Sequence, residues 1–185
     1  SVETVRISAQ ILNTKEVPLK LSTKGVPETG YQLVDVFCDP VMVQVKGVPA
    51  VLNMVDEIKI PAEVLDLTGA RETIEKEIDI SSYLDMGVSL VSSADAKVNI
   101  TAEIEPIETR EYKIPVNNIT AIGLQSGYQL SHAERYVIVN ITAGRTAHNS
   151  LNVSDIKGTI DVDGLKAGEH VINIKFELDH SVYKM

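Results

Sequence analysis

Four histidines, His132, His148, His170 and His180, are the side chains of this 185-residue sequence best suited to proton transfer or metal binding near neutral pH. Their spacing argues against both. No His-Glu-x-x-His run sets two imidazoles on one helical face, and Glu169-His170 has no second ligand at helical spacing. Zinc needs three or four convergent ligands, so all four are expected at the surface or at strand ends. Cys38 is the only cysteine, and it neighbours Asp39, whose charge works against a thiolate. A nucleophile, an intrachain disulfide and a cysteine-based metal site are therefore not expected. Asp66 and Asp161 each stand three residues before a glycine, Gly69 and Gly164, where aspartate commonly bonds its own turn backbone. Catalytic carboxylates would have to face each other across roughly 5 to 9.5 Å, and these two fall in separate folding units. Neither a Gly-x-Ser-x-Gly elbow nor a glycine-rich phosphate loop occurs. Asn-x-Ser/Thr triplets begin at Asn99, Asn118, Asn140 and Asn152, but Asn99 and Asn140 hold polar positions of alternating strands, where Asn serves without any glycan. No catalytic, cofactor-binding or metal-binding residue is assigned.

The elements that place these residues are set by a duplication. Gly30-Tyr31-Gln32-Leu33 returns as Gly127-Tyr128-Gln129-Leu130, an offset of 127 − 30 = 97. Pro18 and Pro115 match at the same offset; Val41, Val43 and Val45 match Val137, Val139 and Ile141 at 96; Asp66 and Gly69 match Asp161 and Gly164 at 95. Ile78, Ile80, Leu84, Asp85 and Val88 match Ile172, Ile174, Leu178, Asp179 and Val182 at 94. A slow drift from 97 to 94 is what single deletions in loops between shared strands leave, so the chain reads as a tandem repeat.

Composition agrees with two small β-units. The chain is 44% hydrophobic but has only eight aromatic residues and no Trp, so its cores must come from Val, Ile and Leu. A net charge of −9 and a pI near 4.9 weigh against nucleic acid or an anionic membrane surface as direct ligand. No apolar run approaches the roughly 20 residues that cross a bilayer, and no basic stretch leads into a signal-like apolar one.

Taken in order, residues 4 to 12 alternate as a strand, with Val5, Ile7, Ala9 and Ile11 on one face. The pattern returns in Val98-Asn99-Ile100-Thr101-Ala102-Glu103-Ile104, at 98 − 5 = 93, and there closes the first repeat just before Pro106. Residues 1–12 are therefore expected to be the closing strand of a preceding repeat, 13–106 a complete unit, and 107–185 a unit lacking its closing strand. The orphan strand 4–12 is expected to pair with the edge of a second unit, including one in another molecule as a swapped or head-to-tail contact. Within 13–106, strands are expected around Val17–Leu21, with Pro18 marking an edge or a strand start, and at Val41–Val45, Ile58–Ile60, Ile78–Ile80 and Val88–Leu90. Pro49 to Val55 is a helical turn with Pro in its first turn. In the second unit Gly144–Ser150 takes the helix's place, and Ile172, Ile174, Phe176 and Leu178 alternate as a strand. No segment sustains a helical period over 11 or more residues, so the fold class is all-β with at most short helical turns.

The ordered set Val17-Pro18-Leu19, Gly30-Tyr31, Val43-Gln44-Val45-Lys46-Gly47, Pro49 to Val55, Asp66-Leu67-Thr68-Gly69 and Val98-Asn99-Ile100 resembles YbbR domains. The second copy offers Ile114-Pro115-Val116, Gly127-Tyr128, Val139-Asn140-Ile141 and Asp161-Val162-Asp163-Gly164, departing where Ala143 replaces Gly47 and Gly144 follows one later. The resemblance implies two tandem cradle-shaped β-domains with crossed strands, in an array tethered outside a bacterial membrane by an N-terminal helix not within these 185 residues. It implies a CdaR-type regulatory or scaffolding module that catalyses nothing, binds no cofactor and contacts a membrane-bound diadenylate cyclase, the source of cyclic di-AMP. The alternative is an extracellular structural or cell-wall glycan-binding array; an enzyme would show itself by turnover lost on replacing His148 or His170.

Overall fold

A computed structural model describes residues 6–185 of the chain. Alternating residues become a strand only where an edge offers backbone partners, and β1, Asn13–Leu21, has two such edges. It pairs antiparallel with β3, Met42–Gly47, setting Val17 opposite Val43. It pairs parallel with β4, Ile58–Ile60, from Leu19 opposite Ile58 onward. The far side of β3 takes β6, Val88–Leu90, which completes a sheet of order β4-β1-β3-β6. Pro18 thus lies within a central strand and not at the edge or strand start expected of it. It is tolerated because the N–H of Leu19, not of residue 18, reaches Val41 O, while pairing with β4 begins only at Leu19.

A second sheet has the order β2-β7-β5, from β2, Tyr31–Asp39, β5, Ile74–Asp79, and β7, Lys97–Pro115. In it Ile74 lies opposite Ala102 and Asp79 opposite Lys97. Alternation does not announce β2, because Leu33 and Val34 are adjacent apolar residues and Asp35 follows. A short helix α1, Pro49–Leu52, and 3-10 turns at Ala62–Val64, Ile80–Tyr83 and Ser93–Ala96 connect these strands. Val17, Val43, Val45 and Ile60 from one sheet, Ile78, Val98, Ile100 and Ala102 from the other, and Leu52, Leu65, Leu67 and Ile80 from the connections form one buried cluster. Each such Val, Leu or Ile side chain contributes about 1.5–3 kcal/mol by leaving water.

The chain divides into two compact units between Glu105 and Pro106. The first repeat's closing strand does not stop before Pro106 as expected. β7 runs through it, because its pairs with β5 span 97–102 and those with β9, Tyr136–Gly144, span 107–115; Pro106 falls in neither ladder, where its missing donor matters least. The second unit adds a parallel pair, β8, Ile119–Ile122, with β10, Lys157–Asp161, and a short antiparallel β11, Lys175–Glu177, giving the order β11-β10-β8. Its helix α2 is Arg145–Ser150. Its fully buried core is Ile114, Ile141 and Ile156. Mostly strands with two short helices, the fold is all-β. Among the described residues no helix is long and apolar enough to cross a membrane.

Two expected strands are corrected. Residues 6–12 form none: they pair with no strand, and Ile7 and Ile11 are 84% and 91% exposed; residues 4 and 5 of that stretch lie outside the described part. Of the alternating run Ile172 to Leu178 only 175–177 is a strand. The same physics explains both, since a hydrophobic alternation without an edge to satisfy its N–H and C=O groups leaves them to water.

The duplicated turns do recur in three dimensions. Asp66 Oδ1 accepts from Thr68 N–H at 2.9 Å and from the Thr68 hydroxyl at 2.6 Å, and Asp161 Oδ1 accepts from Asp163 N–H at 3.0 Å. Each turn presses on a left-handed glycine. A Cβ on Gly25 (φ +74°) would collide with the Thr68 hydroxyl, and one on Gly123 (φ +78°) would lie 2.6 Å from Asp163 Cβ.

Candidate functional site

The first unit has an open cleft of about 490 Å³ between the segment leaving α1 and the turn leading to β6. Val55 and Ile58, both buried, lie against its base, and Tyr83, Leu84 and Val88, half-buried, also line it. Its rim is charged: Asp56 lies 3.6 Å from Lys15, and Glu57 lies 3.1 Å from Lys20 and 3.6 Å from Lys59. Met54 on the rim is 76% exposed, and Met86, next to the lining residue Asp85, is 96% exposed. Lys15 holds this region in place from β1, its ammonium donating to Val55 O at 2.6 Å and Leu52 O at 3.3 Å, where α1 runs out of internal donors. Its volume is in the range of ordinary ligand pockets, and its lining mixes charged side chains with Met54, Val55, Ile58, Leu84 and Val88. It contains no nucleophile with an adjacent base.

In the second unit the chemistry gathers around α2. His148 is 4% exposed, which corrects its expected place at the surface. Nε2 lies 2.9 Å from Glu108 O, a carbonyl that can only accept, so Nε2 carries the proton and Nδ1 accepts from the Tyr112 hydroxyl at 2.8 Å. The two rings stack with centroids 5.8 Å apart. Burial is acceptable because both ring nitrogens are satisfied. The signal was present in the sequence: the offset of 96 that aligns the two helices puts His148 on Leu52, a core position. Beside it, Glu108 accepts from Arg110 at 2.9 Å and from Arg145 at 3.4 Å, and Arg110 also reaches Asn149. The Arg110 guanidinium, then Arg145, holds the Glu108 carboxyl below the usual range, while burial pushes the Tyr112 hydroxyl up. Glu108, spent between two guanidiniums, is no general base.

The other singled-out residues do not converge. His132, His170 and His180 are exposed, and His170 Nε2 binds Lys166 O at 2.8 Å. Cys38 is buried, which pushes its thiol up. Asn99, Asn140 and Asn152 are exposed; Asn118 is half-buried and donates to Val153 O and Ile156 O, tying two short turns together. Among the described residues no group of three or more His, Cys, Asp or Glu could hold a metal ion.

Residues 17–102 match the family model described as YbbR-like protein. The chain is 25% identical over 163 residues, 88% of its length, to the CdaA regulatory protein CdaR of Bacillus subtilis (strain 168), of which it spans 32%. Among solved structures, it resembles the solution structure of SuR18C from Streptococcus thermophilus at 21% identity and TM-score 0.42, covering 55% of this chain and 91% of that one. It also resembles a YbbR-like protein from Streptococcus pneumoniae TIGR4 at 15% identity and TM-score 0.35, covering 96% of this chain and 89% of that one. Residues 17–102, which fold as the first unit around the Val-Pro-Leu, Gly-Tyr and Asp-Leu-Thr-Gly landmarks, are thus similar to YbbR domains, and 88% of the chain is similar to a CdaR regulatory protein.

Proposed function

We propose that the chain belongs to a non-catalytic module outside the bacterial membrane that modulates a membrane-bound diadenylate cyclase through protein–protein contacts. The observation that carries this is the similarity along 88% of the chain to a regulatory protein of CdaA. The first-unit cleft is the contact surface in this reading. Exposed Met54 offers a partner an apolar contact, and the charged lining around it sets the orientation of approach. The tandem YbbR-like arrangement belongs to the same reading.

The test is to exchange the matching region of the Bacillus subtilis relative for this chain and to measure cyclic di-AMP and co-purification with the cyclase. Regulated cyclic di-AMP that is lost with Met54→Glu supports the reading. Unregulated cyclic di-AMP without co-purification removes it, and retention on peptidoglycan in that event selects a structural, glycan-binding array.

A further inference from the structure

We propose that the open edge of β9 is a self-association site, at which two copies of this chain pair antiparallel about a twofold axis at Val137. The backbone shows which groups are on offer. Val116 N–H donates to Arg135 O at 3.1 Å, and the ladder continues with Ile114 opposite Val137 and Tyr112 opposite Val139. Bonded and non-bonded pairs alternate along an antiparallel ladder, so the N–H and C=O of Tyr136, Ile138, Asn140 and Thr142 point away from β7. Thr142 confirms this by exchanging both bonds with Lys184, at 2.7 and 2.9 Å. Among the described residues no group bonds the backbone N–H or C=O of Tyr136 or Ile138. Space is open there too, since a hollow of about 270 Å³ lies beside Glu134, Arg135 and Tyr136.

The first unit guards the same edge. At an offset of 96, β3 corresponds to β9 and Pro40 to Tyr136, so the first unit has no outward donor where the second has one. β6 covers β3 at 45–47 and Val91 N–H reaches Gln44 O, but neither extends to Met42, the counterpart of Ile138. A segment laid on β9 in the same way would therefore leave Tyr136 and Ile138 open. Other edge strands carry charge: Lys59 in β4, Glu75, Lys76 and Glu77 in β5, Lys175 and Glu177 in β11. β9 has neither charge nor proline from Tyr136 to Ala143, and Tyr136 and Ile138 are 50% and 55% exposed. A second β9 fits because the strand is complementary to itself. Lys184 occupies the edge at Thr142, so an axis at Val137, toward the open end, keeps the incoming strand clear of it. Each Tyr136 then lies opposite the other copy's Ile138, an aromatic and a β-branched side chain side by side, with two backbone bonds exchanged per pair. The same patch serves both copies, so the contact closes as a dimer. It rests on the geometry of one strand and stands whether or not the regulatory reading does.

Sedimentation velocity of the 185-residue chain over a range of concentrations should show a monomer–dimer equilibrium. The amides of Tyr136 and Ile138 should gain protection from hydrogen exchange as the dimer forms. Tyr136→Pro installs the first unit's residue without removing a bond to β7, and should weaken dimerisation at least about tenfold. Unchanged exchange at Val137 and Val139, whose amides face β7, is the folding control. Ile138→Lys, at an exposed position, should weaken dimerisation in the same way and is the second variant should the proline disturb the strand. In Val137→Cys the axis sets two thiols opposite each other at a non-bonded pair, so mild oxidation should give a 137–137 disulfide identified by peptide mapping. A monomer at all concentrations overturns the proposal. So does a dimer that Ile138→Lys leaves intact, or a Val137→Cys dimer that forms no such disulfide.

Discussion

The same structural position is filled in opposite ways beneath the two short helices. In the first unit Leu52 is buried under α1 while Lys15, on β1, donates to the carbonyls where that helix ends. At offsets of 96 and 97 the second unit has His148 and Tyr112, stacked and hydrogen-bonded to each other. One solution separates the tasks, with an apolar residue for packing and a cation for the carbonyls. The other merges them in a polar pair that must be fully satisfied to be tolerated. The surroundings differ in the same sense: the first unit buries a continuous cluster drawn from two sheets, the second only Ile114, Ile141 and Ile156 fully. A repeat thus conserves positions and turns while the energetics of each copy diverge.

The strongest way to break this comparison is to truncate matched core positions. Ile80→Ala should cost about 2–5 kcal/mol, whereas Ile174→Ala, at the half-buried counterpart, should cost under about 1 kcal/mol in the single chain, because little buried volume is vacated. Amide hydrogen exchange resolved by peptide would assign each loss to its unit. Equal losses would mean that the two cores are equivalent after all.

Next come two glycines at different places in the Asp-based turns, one crowded and one open. Gly25→Ala sets a Cβ against the Thr68 hydroxyl at positive φ and should cost about 1–3 kcal/mol. Gly164→Ala, with open space around it, carries only the strain of φ +70°, about 1 kcal/mol. Urea midpoints of the two variants check the order.

His148→Leu installs the first unit's residue in the second. It strips partners from Glu108 O and the Tyr112 hydroxyl and should destabilise the second unit by about 1–3 kcal/mol. Adding Tyr112→Phe should recover part of that loss, since the hydroxyl left without an acceptor is then gone. A double-mutant cycle measures the coupling, and a value near zero would reduce the pair to ordinary packing.

The smallest effect is acid sensitivity. The Thr68 hydroxyl and then its N–H hold the Asp66 carboxyl below its ordinary value, and Ser81 and Ser181 do the same for Asp79 and Asp179. A carboxyl whose folded pKa lies below its unfolded one stabilises the fold above the unfolded value. That contribution fades as pH falls through the folded value, so stability should decline below about pH 4. Asp66→Asn should flatten the decline by a small amount in the first unit alone, read from thermal midpoints between pH 5 and pH 2.

What the sequence alone determined was everything local or periodic: the duplication, the β character, the Asp-based turns at Asp66 and Asp161, the helical turns after Gly47 and at Gly144, and the YbbR resemblance. Each follows from side-chain spacing or from backbone demands that a few neighbouring residues settle. Tertiary structure decided which alternating segments become strands, since residues 6–12 and 172–174 carry the pattern without forming strands and Tyr31–Asp39 forms one without the pattern. It also decided that β7 passes through Pro106 and that His148 lies inside, beneath α2. The physical reason is common to all of these. A strand, a tolerated proline and a buried imidazole each depend on partners far away in the chain, and spacing within a segment carries no record of who those partners are.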